Sequence, residues 1–312
     1  MKLLLTGYPG FLASTIKDWF ESKGWVVDTL GLLPFPQDTS RSGVHIVCNL
    51  ANETPRLPNE SYDLVIHAAG KAHVVPQNEE ERKSFFDVNV TGTQHVLDAL
   101  QKKPPKSIVF ISSGVVYGKA TGKMFKEDAP LLATTPYGKS KIMAEELIRN
   151  TAFSKDVIKG IVRLPLIAGK DAPGNLGSMI RAIKKGIYFN VAGGKAVRSV
   201  VLKNDVAPFL YELGQHGGTY NFTDGRGITY KELDQKVHEC LSCPKRPGLP
   251  YWLAWILALC GEILGFVLRR PMLLDFDRLD TLVNDLTFDN TKATKELRFT
   301  PRCVIDHIDE II

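Results

Sequence analysis

Six short apolar runs limit what this chain can fold into: 2–6 (KLLLT), 25–30 (WVVDTL), 44–48 (VHIVC), 63–67 (DLVIH), 107–112 (SIVFIS) and 159–164 (KGIVRL). Stretches with helical spacing separate several of them, at 12–23, about 80–102 and 136–150. A run such as IVFIS is apolar at successive positions, so both faces of the strand need cover. Parallel strands with helices on either side provide it. Strand and helix in alternation predict an α/β chain built on a doubly wound parallel sheet. After about residue 170 the rhythm breaks. Residues 171–178 are rich in Gly, Pro and Asn, 179–185 reads as helix, and later segments are shorter. The expectation is a larger sheet domain over 1–170, a smaller C-terminal α/β domain over 171–312, and a return segment at about 199–215.

Composition narrows the functional classes. The 312 residues carry 39 Lys+Arg against 34 Asp+Glu, a net charge of +5. The charge is diffuse, with no run of five basic residues, so it does not by itself argue for nucleic acid and fits a small anionic ligand about as well; no nucleic-acid partner is expected. The five cysteines, Cys48, Cys240, Cys243, Cys260 and Cys303, are an odd and scattered set. They do not form a secreted disulfide framework. Cys240 and Cys243 follow His238, but no second ligand pair stands at zinc spacing, so two reduced thiols on a helix are expected and no metal. The apolar start is too short for a signal peptide, so a cytoplasmic chain is expected. Residues 250–268 (PYWLAWILALCGEILGFVL) are nearly all apolar and precede Arg269 and Arg270. Glu262 inside the run is costly in lipid, and Gly261 and Gly265 weaken it as a helix. A buried or partner-facing helix is expected, with peripheral membrane contact as the alternative.

Three motifs carry chemistry. Thr6-Gly7-Tyr8-Pro9-Gly10-Phe11-Leu12-Ala13 leaves a predicted strand and opens a predicted helix. Gly7 allows the tight turn, Gly10 lets backbone N–H groups approach a pyrophosphate, and Ala13 lets helix and strand pack closely. The helix N-terminus adds positive partial charge. In Tyr137-Gly138-Lys139-Ser140-Lys141, Thr135 is a candidate N-cap and Pro136 suits the first helical position. Tyr137 and Lys141 then share one helix face. A neighbouring ammonium favours the phenolate, making Tyr137 a candidate general base. Ser113, in Ser112-Ser113-Gly114-Val115-Val116-Tyr117-Gly118, ends a predicted strand, where open α/β sheets bind ligands.

These motifs, with His67-Ala68-Ala69-Gly70 and Asn89-Val90-Thr91-Gly92-Thr93, stand in one order and spacing along the chain. Together they resemble the extended short-chain dehydrogenase/reductases, and more narrowly the NAD-dependent epimerase/dehydratase family that acts on nucleotide sugars. The resemblance implies a Rossmann-like fold, an NAD(P)-binding first domain and a nucleotide-sugar-binding second one. It implies Ser113, Tyr137 and Lys141 as the catalytic triad. It implies NAD or NADP held by Gly7, Gly10, Phe11, Leu12, Asn49, Leu50, Ala68, Ala69, Gly70, Asn89, Lys141 and Pro165. Asn175 and Arg198 match the places that contact the nucleotide diphosphate, and His73 is a candidate facing the sugar. A homodimer is usual among such proteins.

Departures from the pattern sharpen it. The acidic residue that meets the ribose hydroxyls in NAD enzymes is replaced by Gly31, Asp28 lies within the strand, and Arg41 is ten residues on. NAD and NADP therefore both stay open. Dehydratases of the family follow the catalytic hydroxyl with Asp-Glu, and here Gly114 and Val115 stand there. That disfavours elimination and leaves 4-epimerisation of a nucleotide-diphosphate hexose, or reduction of a 4-keto sugar. A non-catalytic dinucleotide-sensing protein is the third reading. No acidic residue occurs between Asp171 and Asp205, while Arg181, Lys184, Lys185, Lys195, Arg198 and Lys203 do. This suits a diphosphate. The 174–185 stretch and the apolar 250–268 run resemble proteins that make N-acetylated amino sugars for bacterial surface polysaccharides.

Overall fold

The computed structural model describes residues 1–34, 43–72, 74–242, 247–268 and 274–312. Arg41, His73, Cys243, Arg269 and Arg270 lie outside the described residues. The elements in chain order are β1 (Lys2–Thr6), α1 (Phe11–Ser22), β2 (Val26–Gly31), β3 (His45–Val47), β4 (Leu64–His67), α2 (Glu79–Phe86) and α3 (Gly92–Leu100). Then come β5 (Ser107–Ser113), β6 (Gly122–Phe125), α4 (Pro136–Asn150), β7 (Ile158–Leu164), β8 (Leu166–Ala168), α5 (Gly174–Lys184), β9 (Val197–Arg198), β10 (Val200–Leu202) and α6 (Lys203–His216). The chain continues through β11 (Gly218–Asn221), β12 (Ile228–Thr229), α7 (Tyr230–Leu241), α8 (Tyr251–Leu268), α9 (Phe276–Val283), β13 (Leu286–Phe288) and α10 (Thr291–Glu296).

The expected parallel sheet is present, with seven strands in the order β11-β7-β5-β4-β1-β2-β3. Every pairing in it is parallel. The order reverses between β1 and β4, the switch point at which such sheets bind ligands beyond their carboxyl ends. On one face α1 and α6 bury Ile16, Phe20, Phe209 and Leu213 against β1, β4 and β7. On the other, α3 and α4 bury Val96, Leu97, Ala144 and Ile148. The continuous apolar runs are thus covered on both sides, as their composition requires.

Four differences from the sequence expectation have physical causes. The helix expected over 80–102 is α2 and α3 joined by a π-helical turn at Asp87–Thr91, which turns the Asn89 side chain into the interior. Helix α5 starts at Gly174, inside the stretch expected to be loop, with Pro173 as its N-cap residue. The return segment at 199–215 is β10 and α6, but the chain then adds β11, which pairs with β7 at the sheet edge. Its sequence, Gly-Thr-Tyr-Asn, carries no apolar run, so only the pairing reveals it. The 250–268 helix is not buried. Ala254, Ala258 and Gly261 are covered, while Trp252, Ile256, Ile263 and Leu264 are exposed. Among the described residues, no helix is long and apolar enough to cross a membrane.

A buried ion pair ties α4 to the sheet. Arg163 on β7 donates to both Glu145 oxygens, from Nε at 3.0 Å and from Nη2 at 2.8 Å. Ser112 Oγ on β5 donates to Glu145 Oε1 at 2.6 Å. Arg163 Nη1 donates to the Tyr117 hydroxyl at 3.1 Å and to the Glu127 carbonyl at 2.9 Å. Burial alone would raise the Glu145 carboxyl, but Arg163, Ser112 and Arg149 together hold it below its ordinary value. Removing one partner leaves an uncompensated charge in the interior. Arg163→Met is expected to lose about 3–5 kcal/mol of stability, and Arg163→Met with Glu145→Leu to recover much of it. Urea unfolding midpoints of the two variants against the parent chain check this.

Candidate active site and cofactor cradle

The glycine loop lies across the ends of β1 and β2. Gly7 N and Tyr8 N donate to the Leu30 carbonyl at 2.8 and 3.2 Å. Gly7 has φ +87°, and a Cβ there would stand 2.8 Å from Ala69 N. A Cβ at Gly10 would stand 2.7 Å from the Gly7 carbonyl oxygen. Both positions require glycine, and Ala13 is buried behind them. No side chain caps the first turn of α1, of which Gly10 is the N-cap residue and Phe11 and Leu12 the first members. Its outward N–H groups are therefore available to an anion. The Lys203 ammonium stands 4.6 Å from the Phe11 ring centroid. These residues fit a dinucleotide pyrophosphate.

The acid missing after β2 has a structural reason. A Cβ at Gly31 would lie 2.0 Å from the Tyr8 carbonyl oxygen, so no side chain can stand there while the loop keeps this path. Asp28 is buried in β2, where it accepts from the Tyr62 hydroxyl at 2.8 Å and from Val44 N at 3.0 Å. Lys2 Nζ lies 3.1 Å from it. Asn49 turns its side chain back to accept from Ala51 N at 3.2 Å. Leu50 packs in the core, and its carbonyl accepts from His95 Nδ1 at 2.8 Å.

The loop after β4 is held from two sides. Asn89 accepts from Lys71 N at 2.7 Å and donates to the Lys71 carbonyl at 3.1 Å. It also donates to Ser140 Oγ at 2.9 Å, and Ser140 donates to the Tyr137 carbonyl at 2.8 Å. Across the loop, Ala69 N donates to Thr6 Oγ1 at 3.0 Å, and Thr6 bonds His67 Nδ1 at 2.7 Å. His67 Nε2 bonds Thr93 Oγ1 at 2.9 Å, and Thr93 donates to the Asn89 carbonyl at 2.6 Å. Since Thr93 spends its proton on that carbonyl, His67 must donate from Nε2 and accept at Nδ1. Burial, with the Lys141 charge adding to it, pushes the His67 pKa down to about 3. The ring stays neutral and one tautomer is fixed. The sequence placed His67 in a motif without indicating this role.

Ser113 and Tyr137 meet. Thr135 caps α4 by accepting from Gly138 N at 3.1 Å, with Pro136 in the first turn, as expected. Tyr137 then faces the end of β5, where the Ser113 side chain is close enough to act on its phenol. Burial pushes the phenol up, and the neighbouring Ser113 side chain works against the rise. The expected depression by Lys141 is absent because the ammonium is turned elsewhere. Lys141 Nζ donates to the Ile111 carbonyl at 2.8 Å and stands 4.5 Å from the Phe110 ring centroid. It also lies 3.3 Å from where a Gly70 Cβ would stand. Burial pushes the Lys141 pKa down to about 8, with the Glu145 carboxylate pulling the other way. Pro165 follows β7 and is half-buried.

Beside Ser113, a Cβ at Gly114 would fall 2.4 Å from the Phe288 ring. A side chain at position 114 would therefore require the buried Phe288 ring to move. Farther along, Asn175 is exposed in the first turn of α5. Arg198 is buried; Nη1 donates to the Ala120 carbonyl at 3.3 Å, and Nη2 donates to the Thr281 carbonyl. Its Nε is buried without a partner among the described residues. Lys184, Lys185 and Lys195 are exposed, so much of the acid-free stretch is solvated surface. The Glu145–Arg163 pair was missed from the sequence. The signal was an Arg inside an apolar strand run, since such a charge needs a buried partner.

Comparison with known proteins comes out on one side. The sequence model described as the NAD dependent epimerase/dehydratase family matches residues 3–222. The chain is 30% identical over 218 residues to N-acetyl-alpha-D-glucosaminyl-diphospho-ditrans,octacis-undecaprenol 4-epimerase of Escherichia coli O157:H7. That match covers 67% of this chain and 65% of the relative, just under two thirds of its length. UDP-glucose 4-epimerase of Azospirillum brasilense is 26% identical over 253 residues, covering 71% of each chain. The solved structure of MoeE5 in complex with UDP-glucose and NAD superposes with a TM-score of 0.76 at 18% identity, covering 100% of this chain and 97% of the other. At that identity the likeness is one of fold.

The Lys141 value gives a pH test. Below about pH 8 the buried amine carries its proton, and above it the charge is lost. Affinity for NAD(P), an anion, is expected to fall as pH rises from neutral through that value. Lys141→Met is expected to bind weakly at every pH, with no such fall. Fluorescence titrations of both chains across the range check it.

Proposed function

Because the chain belongs to the NAD-dependent epimerase/dehydratase family, whose model matches residues 3–222, we propose that it inverts C4 of a sugar diphosphate. The observation that carries the reading is the approach of the Tyr137 phenol to the Ser113 side chain at the end of β5, with Lys141 one turn along α4. NAD(P), when bound, supplies the acceptor and donor for the C4 hydride. Gly7, Gly10 and the first turn of α1 would hold its diphosphate, and Lys141 and the loop Ala68–Ala69–Gly70, fixed by Asn89 and Thr6, would hold its nicotinamide half.

In this reading Tyr137 Oη takes the proton of the C4 hydroxyl while Ser113 bonds the same oxygen. After the 4-keto sugar turns over, Tyr137 returns the proton to the opposite configuration. The charge on Lys141 favours the deprotonated phenol once the ammonium leaves the Ile111 carbonyl. Gly114 leaves the site without the acid that elimination needs, because the Phe288 ring occupies that space. Arg198, with an unpartnered buried Nε, and Asn175 would meet the diphosphate. We place the enzyme, as a cytoplasmic homodimer, in bacterial surface polysaccharide synthesis, with an N-acetylated amino sugar as substrate. The sugar diphosphate would be a nucleotide sugar. A lipid-diphosphate sugar, as acted on by the Escherichia coli relative, is a second reading that the exposed apolar α8 favours.

The test is a panel of UDP-, GDP- and dTDP-sugars, their 4-keto forms and undecaprenyl-diphospho-N-acetylglucosamine, with and without reduced cofactor. Product without net cofactor consumption is the expected result. Stoichiometric consumption would make the chain a 4-ketoreductase, and no hydride exchange at all would make it a dinucleotide-sensing protein. Tyr137→Phe is expected to lose turnover by about 10²–10⁴-fold while cofactor affinity stays near that of the parent chain.

A further inference from the structure

Helix α8 is the most apolar helix among the described residues, and most of its described side chains are exposed. Its 18 residues carry one charge, Glu262. Among its described side chains, Ala254, Ala258 and Gly261 are the buried ones. The first two pack with Leu279 and Phe276 of α9, so the helix lies along the protein surface on a strip of small residues. The large side chains point away: Trp252 is 63% exposed, Ile263 56% and Ile256 43%. Placed about 100° apart per residue, the exposed positions sweep about 260° of the helix. A single packed helix covers a stripe of about 100°. A second copy or one partner helix would leave most of this surface in water, whereas a lipid phase would cover the whole arc.

The distribution of residues around the axis suits a helix lying in a bilayer surface. Trp252, Ile256, Leu259 and Ile263 form the outermost ridge. Glu262 sits about 100° round from Ile263, at the margin of the covered strip, where it can stay with the headgroups. Tyr251, Trp252 and Trp255 are the residue types that favour the interface. The apolar surface also extends beyond α8. Leu249, just before the helix, bridges to Val191. The segment reaching Val191 exposes Ile187 and Phe189, directly after exposed Lys184 and Lys185. A basic edge beside an apolar face is the charge pattern that an anionic lipid surface attracts.

We propose that α8, with Ile187 and Phe189 beside it, docks the chain on an anionic membrane surface with its axis in the membrane plane. Beneath it, α9 receives an Arg198 hydrogen bond at the Thr281 carbonyl, so docking sets the candidate diphosphate site close to the bilayer. The docking does not depend on which sugar is turned over.

The test is flotation of the full chain with vesicles of phosphatidylcholine, alone or mixed with phosphatidylglycerol. The expected result is recovery with the mixed vesicles, a blue shift of tryptophan fluorescence, and quenching by lipids brominated along the acyl chain. The triple variant W252Q/I256Q/I263Q is expected to stay in the soluble fraction, with melting temperature and NAD(P) affinity unchanged. K184E/K185E is expected to weaken binding to mixed vesicles by about tenfold. Two results would overturn the proposal. One is a parent chain that stays soluble with both vesicle types and shows no quenching. The other is a concentration-dependent dimer by light scattering that the triple variant dissolves, which would assign the face to a second copy.

Discussion

The Glu145–Arg163 pair is the constraint on which the site depends. It lies one turn beyond Lys141 on α4 and reaches β7 by two hydrogen bonds and β5 through Ser112. Ser112 adjoins Ser113, and Lys141 and Tyr137 share the helix that carries Glu145. One carboxylate thus sets the spacing between the strand with the serine and the helix with the tyrosine and lysine. It also opposes the burial that lowers the Lys141 pKa. Interior charges are costly unless fully bonded. Here the carboxylate is met by a serine and two arginines, and the remaining Arg163 donors reach Tyr117 and Glu127. That network continues through the Tyr117 hydroxyl to Asn221 on β11 at 2.6 Å.

A second set of bonds does for the loop after β4 what this pair does for Ser113 and Tyr137. The π-helical turn aims Asn89 inward, where one amide holds both backbone groups of Lys71 and reaches Ser140 on α4. His67, locked in one tautomer between Thr6 and Thr93, joins the other end of the loop to the same turn. Neither device needs a charge, and so neither responds to pH near neutrality.

Much of this was legible in the sequence where local rules act. Runs such as KLLLT and SIVFIS announce buried parallel strands, and α4 begins where Thr135 and Pro136 place it. What stayed hidden depends on partners far along the chain. Strand β11 has no strand-like composition and exists because β7 offers an edge. The π turn depends on what Asn89 finds at Lys71 and Ser140. Helix α8 is apolar enough to suggest burial, but hydropathy does not say that, among its described residues, the buried strip is alanine and glycine. The basic stretch before Asp205 showed the opposite error. It drew attention as a block, yet Lys184, Lys185 and Lys195 face solvent, and Arg198 alone turns inward with a donor to spare.

The closeness of Gly114 to the Phe288 ring couples two distant positions of the chain. Gly114 directly follows the strand that carries the serine, while Phe288 arrives from β13, near the end of the described chain. An acid at 114 would collide with the ring, and a smaller residue at 288 would by itself open a hole among Val116, Tyr117 and Phe125. The two changes become tolerable only together. Placing an acid beside Ser113 would therefore take two changes made together, at residues brought side by side from distant parts of the chain.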